Sequence, residues 1–132
     1  MTTHRCPAGD EAAIRNLIGL TAFLGDTGAA EDYRLLYAPD AAWRMGDVAQ
    51  QGADEIVAAA AARRDEGVSG PGSGTRHFVT TLTVEVADDT ASAVSYYAFL
   101  AGNIIRTTGT YHDELARTEA GWRITRRDIT AG

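Results

Sequence analysis

Apolar positions recur at helical spacing in the first third of the chain and at a period of two in the second half. Ile14, Leu17, Ile18, Thr21 and Leu24 mark one helical face, widened by Leu20 and Phe23. Asp10 is placed to cap a start at Glu11, and the run Gly25-Asp26-Thr27-Gly28 ends the helix. A short second helix is expected over residues 30–37, presenting Tyr33, Leu36 and Tyr37, with Pro39 stopping it. Weak alternation over 41–47 predicts a short strand, and 48–52 its return or a turn. A third helix follows over 55–66; its run from Ala58 to Ala62 has high helix propensity and little bulk, which permits close packing on a sheet.

The rest of the chain is organised around residues 74–102, which read as two long antiparallel strands joined at Asp88-Asp89. Thr, Val, Phe and Tyr suit a pleated, half-buried surface, and the acidic pair suits a turn. An unbroken period of two puts His77, Val79, Thr81 and Thr83 on one face, and Phe78, Thr80, Leu82, Val84 and Val86 on the other. A Gly-, Ser- and Pro-rich loop over 68–74 precedes this hairpin. A third strand over 103–118, a turn at 119–121 and a last strand over 122–129 complete a four-stranded meander. Three helical segments followed by a meander predict an α+β domain, its helices segregated on one face of a curled antiparallel sheet.

Composition narrows the function classes. At 132 residues the chain is one domain with a core over 11–129 and a frayed lead-in over 1–8, and its 45% hydrophobic and 23% charged fractions are those of an ordinary globular protein. A net charge of -6 argues against a nucleic-acid or anionic-membrane partner, since Arg63-Arg64 and Arg126-Arg127 are pairs and not patches. Cys6 is the single cysteine and no apolar run has signal-peptide or membrane-spanning length, so a cytoplasmic location is expected. His4, His77 and His112 show no metal-ligand spacing, no phosphate loop follows a strand and the chain has no lysine, so neither metal nor cofactor is expected.

Several short strings carry more. They are Gly25-Asp26 ahead of Pro39, Tyr37-Ala38-Pro39-Asp40, Thr75-Arg76-His77-Phe78, Gly109-Thr110-Tyr111-His112-Asp113 and Gly121-Trp122-Arg123-Ile124. In this order they resemble the SnoaL-like members of the nuclear transport factor 2-like superfamily, a cone-shaped fold shared by scytalone dehydratase, ketosteroid isomerase, limonene epoxide hydrolase and polyketide cyclases. The resemblance implies that Asp26 occupies the place of the dehydratase's catalytic aspartate and His77 that of the histidine beside it. The tyrosine before that aspartate is replaced here by Gly25, a second histidine by Ala101, and an asparagine by Tyr111. Tyr111, Trp43, Thr81 and Phe23 are the candidate substrate-binding residues.

The residues also argue for themselves. A carboxylate at the C-terminal end of a helix meets the negative end of the dipole and, in an apolar pocket, is expected to hold its proton more tightly, which suits a general acid or base. A turn aspartate and a core histidine bonded to a carbonyl are the plainer readings of Asp26 and His77; an aromatic core residue is that of Tyr111. Asp113 is expected to pair with Arg127. Two function classes follow: a cofactor-free dehydratase, isomerase or cyclase acting on a small hydrophobic, oxygenated molecule such as a polyketide or terpenoid intermediate, or a non-catalytic binding or accessory subunit, like the β subunits of ring-hydroxylating dioxygenases. An apolar outer face of Phe78, Leu82, Val84, Val86, Val94, Tyr96 and Leu100 predicts a homodimer through the sheet.

Overall fold

The computed structural model describes residues 7–132, so His4 and Cys6 lie outside the described residues. In chain order it has helix α1 (Pro7–Thr27), a short 3-10 helix (Ala30–Leu35), strands β1 (Tyr37–Met45) and β2 (Val48–Gln51), helix α2 (Ala53–Asp65), and strands β3 (Thr75–Ala87), β4 (Thr90–Ala101), β5 (Ile104–Thr118) and β6 (Gly121–Ala131). The six strands form one curled, unclosed sheet in the order β2-β1-β6-β5-β4-β3. The helices cover one face of it. This sheet is mixed where an all-antiparallel one was expected, because β1 pairs with β6 in parallel. The meander from β3 to β6 leaves the edge of β6 free, and the chain arriving from the helices adds β1 there in the same direction.

Helix α1 begins ahead of the expected start, and Asp10 lies within it rather than capping it. Its carboxylate instead accepts from the Trp122 indole N–H at 3.3 Å and pairs with Arg117 at 2.7 Å, tying the first turn to β5 and β6. The predicted stripe holds: Ile14, Leu17, Ile18 and Thr21 are buried. The second helix is a single 3-10 segment, because Asp32 turns back to accept the Ala29 N–H at 3.0 Å. Gly28 is needed at that junction: a Cβ there would lie 2.6 Å from the Asp32 carboxylate and 2.9 Å from the Leu24 carbonyl. Helix α2 buries Ala53, Ile56, Val57 and Ala60, and its small residues pack it against β1 and β2.

One residue changes the reading of the long hairpin. The pairing of β3 with β4 shifts register between Thr80 and Thr83, and Thr81 is the extra residue, with φ 55°. The alternation therefore reverses there. His77 and Val79 point inward before the bulge, and Leu82, Val84 and Val86 point inward after it, packing on the core instead of forming the outer face expected of them. The turn itself is as read, with Asp88 at φ 56° between the paired residues Ala87 and Thr90.

Candidate active site

Asp26 sits in the last turn of α1 and His77 near the start of β3, 51 residues later. The structure brings them together. The His77 ring Nδ1 lies 2.8 Å from Asp26 Oδ1, and the His77 backbone N–H donates to both carboxylate oxygens, at 3.0 and 3.2 Å. An ionised carboxylate only accepts, so Nδ1 donates to it, and in the neutral ring Nε2 is then the nitrogen that holds a lone pair. The histidine side chain is 25% exposed against 11% for the aspartate, so the carboxylate stands behind the ring. On its other side the ring meets Phe99, centroids 4.7 Å apart, and β3–β4 pairing sets that contact through the couple His77–Phe99.

Two residues along β3 and β4 from the couple His77–Phe99, at Val79 and Tyr97, a small aromatic cluster begins. Tyr97, Tyr111 and Ile129 are buried, with Trp43 and Val79 packed on them, and the two tyrosine rings stack at 4.6 Å. Tyr97 leans over Gly109, its paired residue on β5, where a Cβ would come within 2.8 Å of the phenol oxygen. That hydroxyl and the Ser95 hydroxyl are buried without a hydrogen-bond partner among the described residues. Burial raises the pKa of Tyr97 and, more strongly, that of Tyr111, where the Arg127 charge opposes it. Both phenols therefore keep their protons at neutral pH. His77, Val79, Phe99 and Trp43 all lie at this end yet none is fully buried, so it stays accessible.

Asp113 and Arg127 form the expected pair, closed on both sides. Their contacts are 2.7 Å and 2.9 Å, Arg127 also donates to the Thr21 hydroxyl at 3.2 Å, and its guanidinium lies 3.9 Å above the Tyr111 ring. Burial alone would lower the Arg127 pKa, but the Asp113 charge and hydrogen bonds hold it above its ordinary value.

Of the expected lining residues, Trp43 and Tyr111 stand at the site and two do not. Phe23 is 62% exposed on the flank of α1, a helical position that the widened stripe included but the packing did not use. Thr81 is exposed in the bulge, away from the inward-facing side chains. The sequence reading missed Tyr97 and Phe99, which share the inward alternation of β4, and Arg64. From the last turn of α2, Arg64 donates to the carbonyls of Leu24, Gly25 and Gly28 at 3.0–3.2 Å, covering the C-terminal end of α1 beside Asp26. The negative end of that helix thus meets a cation, where the dipole argument had taken it as open. The signal was present: α1 has no basic residue of its own in its last turn. Among the described residues no three of His, Cys, Asp and Glu come together as a metal-ligating group, and no helix is long and apolar enough to cross a membrane.

The family model described as SnoaL-like domain matches residues 7–128. No curated protein matches the sequence at a significant level. Among solved structures, a protein of unknown function with a cystatin-like fold from Nostoc punctiforme superimposes with a TM-score of 0.84 at 19% identity, over 98% of this chain and 96% of that one. A protein provisionally named scytalone dehydratase from Novosphingobium aromaticivorans gives 0.74 at 16% identity, over 95% and 85% of the two chains. Another from that organism, provisionally named an aromatic ring hydroxylase, gives 0.70 at 24% identity, over 96% and 92%. At these identities the likeness is one of fold.

Proposed function

The chain belongs to the SnoaL-like domain family, and we propose that it is a cofactor-free acid–base enzyme acting on a small, hydrophobic, oxygenated molecule. The observation that carries this reading is the clamp on Asp26: three hydrogen bonds from one residue, which leave Nε2 of the partly exposed His77 ring unengaged by the carboxylate. His77 Nε2 takes a proton from carbon beside a substrate carbonyl. Asp26 fixes the tautomer and stabilises the imidazolium that results, a positioning role of the kind carboxylates play behind catalytic histidines. The buried phenols of Tyr97 and Tyr111 are the proposed donors to the oxygen that gains charge. Proton removal beside a carbonyl opens dehydration, isomerisation and cyclisation alike, so the reading stops at that shared step. Two structural neighbours carry provisional names of a scytalone dehydratase and an aromatic ring hydroxylase, which is in keeping with this reading.

The step is measured directly as hydrogen–deuterium exchange at C2 of α-tetralone in deuterated water, followed by proton NMR. The wild type should accelerate exchange, and His77→Ala should lose ~10²–10⁴ of that acceleration, with Asp26→Asn losing a smaller part because it removes orientation and charge but leaves the ring. Exchange undiminished in both variants would end the reading and favour the accessory-subunit alternative. A wild type that leaves exchange at the solvent rate would do the same.

A further inference from the structure

Arg64, in the last turn of α2, gives its hydrogen bonds to backbone carbonyls, and among the described residues it forms no ion pair. Five bonds reach four acceptors: Nη1 donates to Ala60 of its own helix at 3.2 Å, Nη2 to Leu24, Gly25 and Gly28 at 3.1, 3.2 and 3.0 Å, and Nε to Gly28 at 3.2 Å. A single donor is enough to cap a helix end. This fork instead takes the carbonyl immediately before Asp26 and the one two residues after it, so the backbone on both sides of the aspartate is fixed to a group from another helix. The fork is itself held. Its central carbon lies 5.4 Å from the centre of the Tyr33 ring, and Gly70, at φ 103°, packs so tightly on the stem that a Cβ would come 2.6 Å from Arg64 Cγ.

The same corner of α2 is tied to the other member of the pair. The carbonyl of Arg63, next to Arg64, accepts from the Val68 N–H at 2.9 Å, and the Val68 carbonyl accepts from the Thr75 hydroxyl at 3.0 Å, two residues before His77 on β3. Helix α2 therefore reaches Asp26 through Arg64 and His77 through Val68 and Thr75. Asp26 lies in the last turn of α1, where the chain leaves the helix at Gly28, so the place of its carboxylate against β3 depends on what holds that end. We infer that Arg64 is a positioning residue for the pair, fixing the end of α1 so that the Asp26 carboxylate stays on the His77 Nδ1–H. This rests on the reading of Asp26 and His77 as the acid–base pair, and adds to it a residue that touches neither the substrate nor the reacting atoms. Without the fork the last turn frays, the carboxylate leaves Nδ1–H, and the ring loses the tautomer that keeps Nε2 as the base. A shift of about 1 Å at such a contact costs up to about 10²-fold in rate.

Arg64→Ala and Arg64→Lys test it by two readouts, with circular dichroism to show that each is folded. The first needs no turnover: proton–nitrogen correlation spectra of isotope-labelled protein at about pH 9, above the ordinary titration range of histidine, show which ring nitrogen of His77 carries the hydrogen. The wild type should show Nδ1–H, and both variants should move toward the Nε2–H form that an unrestrained imidazole prefers. The second is α-tetralone exchange. Arg64→Ala should lower kcat about 10-fold or more and leave KM within about two-fold, since orientation is lost and binding is not. Arg64→Lys keeps the charge but not the planar fork, and should recover less than half of that loss. Guanidinium chloride at about 20 mM, far below denaturing concentrations, should restore both the Nδ1–H ring and the rate in Arg64→Ala, where sodium chloride at the same concentration should not. A folded variant that keeps the Nδ1–H ring, a kcat within about two-fold of the wild type, or a loss that guanidinium leaves unrepaired would each overturn the proposal. If Arg64→Ala does not fold, Arg64→Lys carries both readouts. A wild type inactive on α-tetralone would defeat the catalytic reading alone, and the spectra would then decide whether Arg64 positions Asp26.

Discussion

The two halves of β3 serve opposite ends of the interior. Beyond the bulge, Leu82, Val84 and Val86 join Ile14, Ile18, Leu36, Leu115 and Ile124, a closed aliphatic core whose five last-named members are at most 1% exposed. Ahead of it, His77 and Val79 face Phe99, Tyr97 and Trp43, where polar tips are buried beside partly accessible rings. Branched aliphatic side chains fill space without leaving polar atoms to satisfy. The aromatic end holds two hydroxyls without partners among the described residues, and that is where a closed core would be least economical and a ligand most useful. A fold can thus keep a rigid end and a receptive end on one strand, divided by a single inserted residue.

The largest test removes that division. Deleting Thr81 would restore an unbroken alternation and turn either His77 and Val79 or the three residues Leu82, Val84 and Val86 outward. Exposing the three partly buried apolar side chains would cost up to about 5–9 kcal/mol, comparable with the whole stability of a domain this size, so circular dichroism should find the variant unfolded or nearly so. A folded variant with wild-type stability would show that the bulge does not separate the two ends.

Next comes the buried pair between them. Asp113→Ala leaves the Arg127 charge enclosed without its partner and should cost about 3–5 kcal/mol in chemical denaturation. Replacing both residues by apolar ones should recover much of that loss. If the single change costs under about 1 kcal/mol, solvent reaches Arg127 and the boundary is not dry.

Alkaline pH probes the same boundary more gently. Burial pushes the Tyr37 phenol up to about 12 from an ordinary value of 10.0. The raised value means the unfolded chain releases this proton first. Stability is therefore full below pH 10 and falls between pH 10 and 12, by about 2–3 kcal/mol for this group. Denaturation midpoints measured from pH 9 to 12, with tyrosinate absorbance followed alongside, check it; a flat profile would contradict the burial.

The smallest effect belongs to the receptive end. Tyr97→Phe deletes a buried hydroxyl that has no partner among the described residues, so the variant should be as stable as the wild type or more stable, by on the order of 1 kcal/mol. A loss of that size would mean the hydroxyl is already satisfied.

Much of this was legible in the chain. The period of α1, the two-residue turn at Asp88-Asp89 and the strings around Asp26 and His77 are local patterns, and local patterns survive folding when packing agrees with them. Asp10 was misplaced because a capping side chain looks the same in sequence whether it serves its own helix or reaches Trp122 and Arg117. Phe23 was placed at the site because helical spacing defines a stripe but not its edges.

By itself, then, the sequence determined the kinds of elements, their order, and which side chains had the chemistry to form a site. Only the tertiary structure decided where β1 would pair, that Thr81 would reverse the inward face, and that Arg64 would cross from α2 to cover the end of α1. The reason is common to all three. A free strand edge, a register slip and an uncapped helix end are each satisfied by whichever distant group the packing brings near, and nothing within a few residues of them names that group.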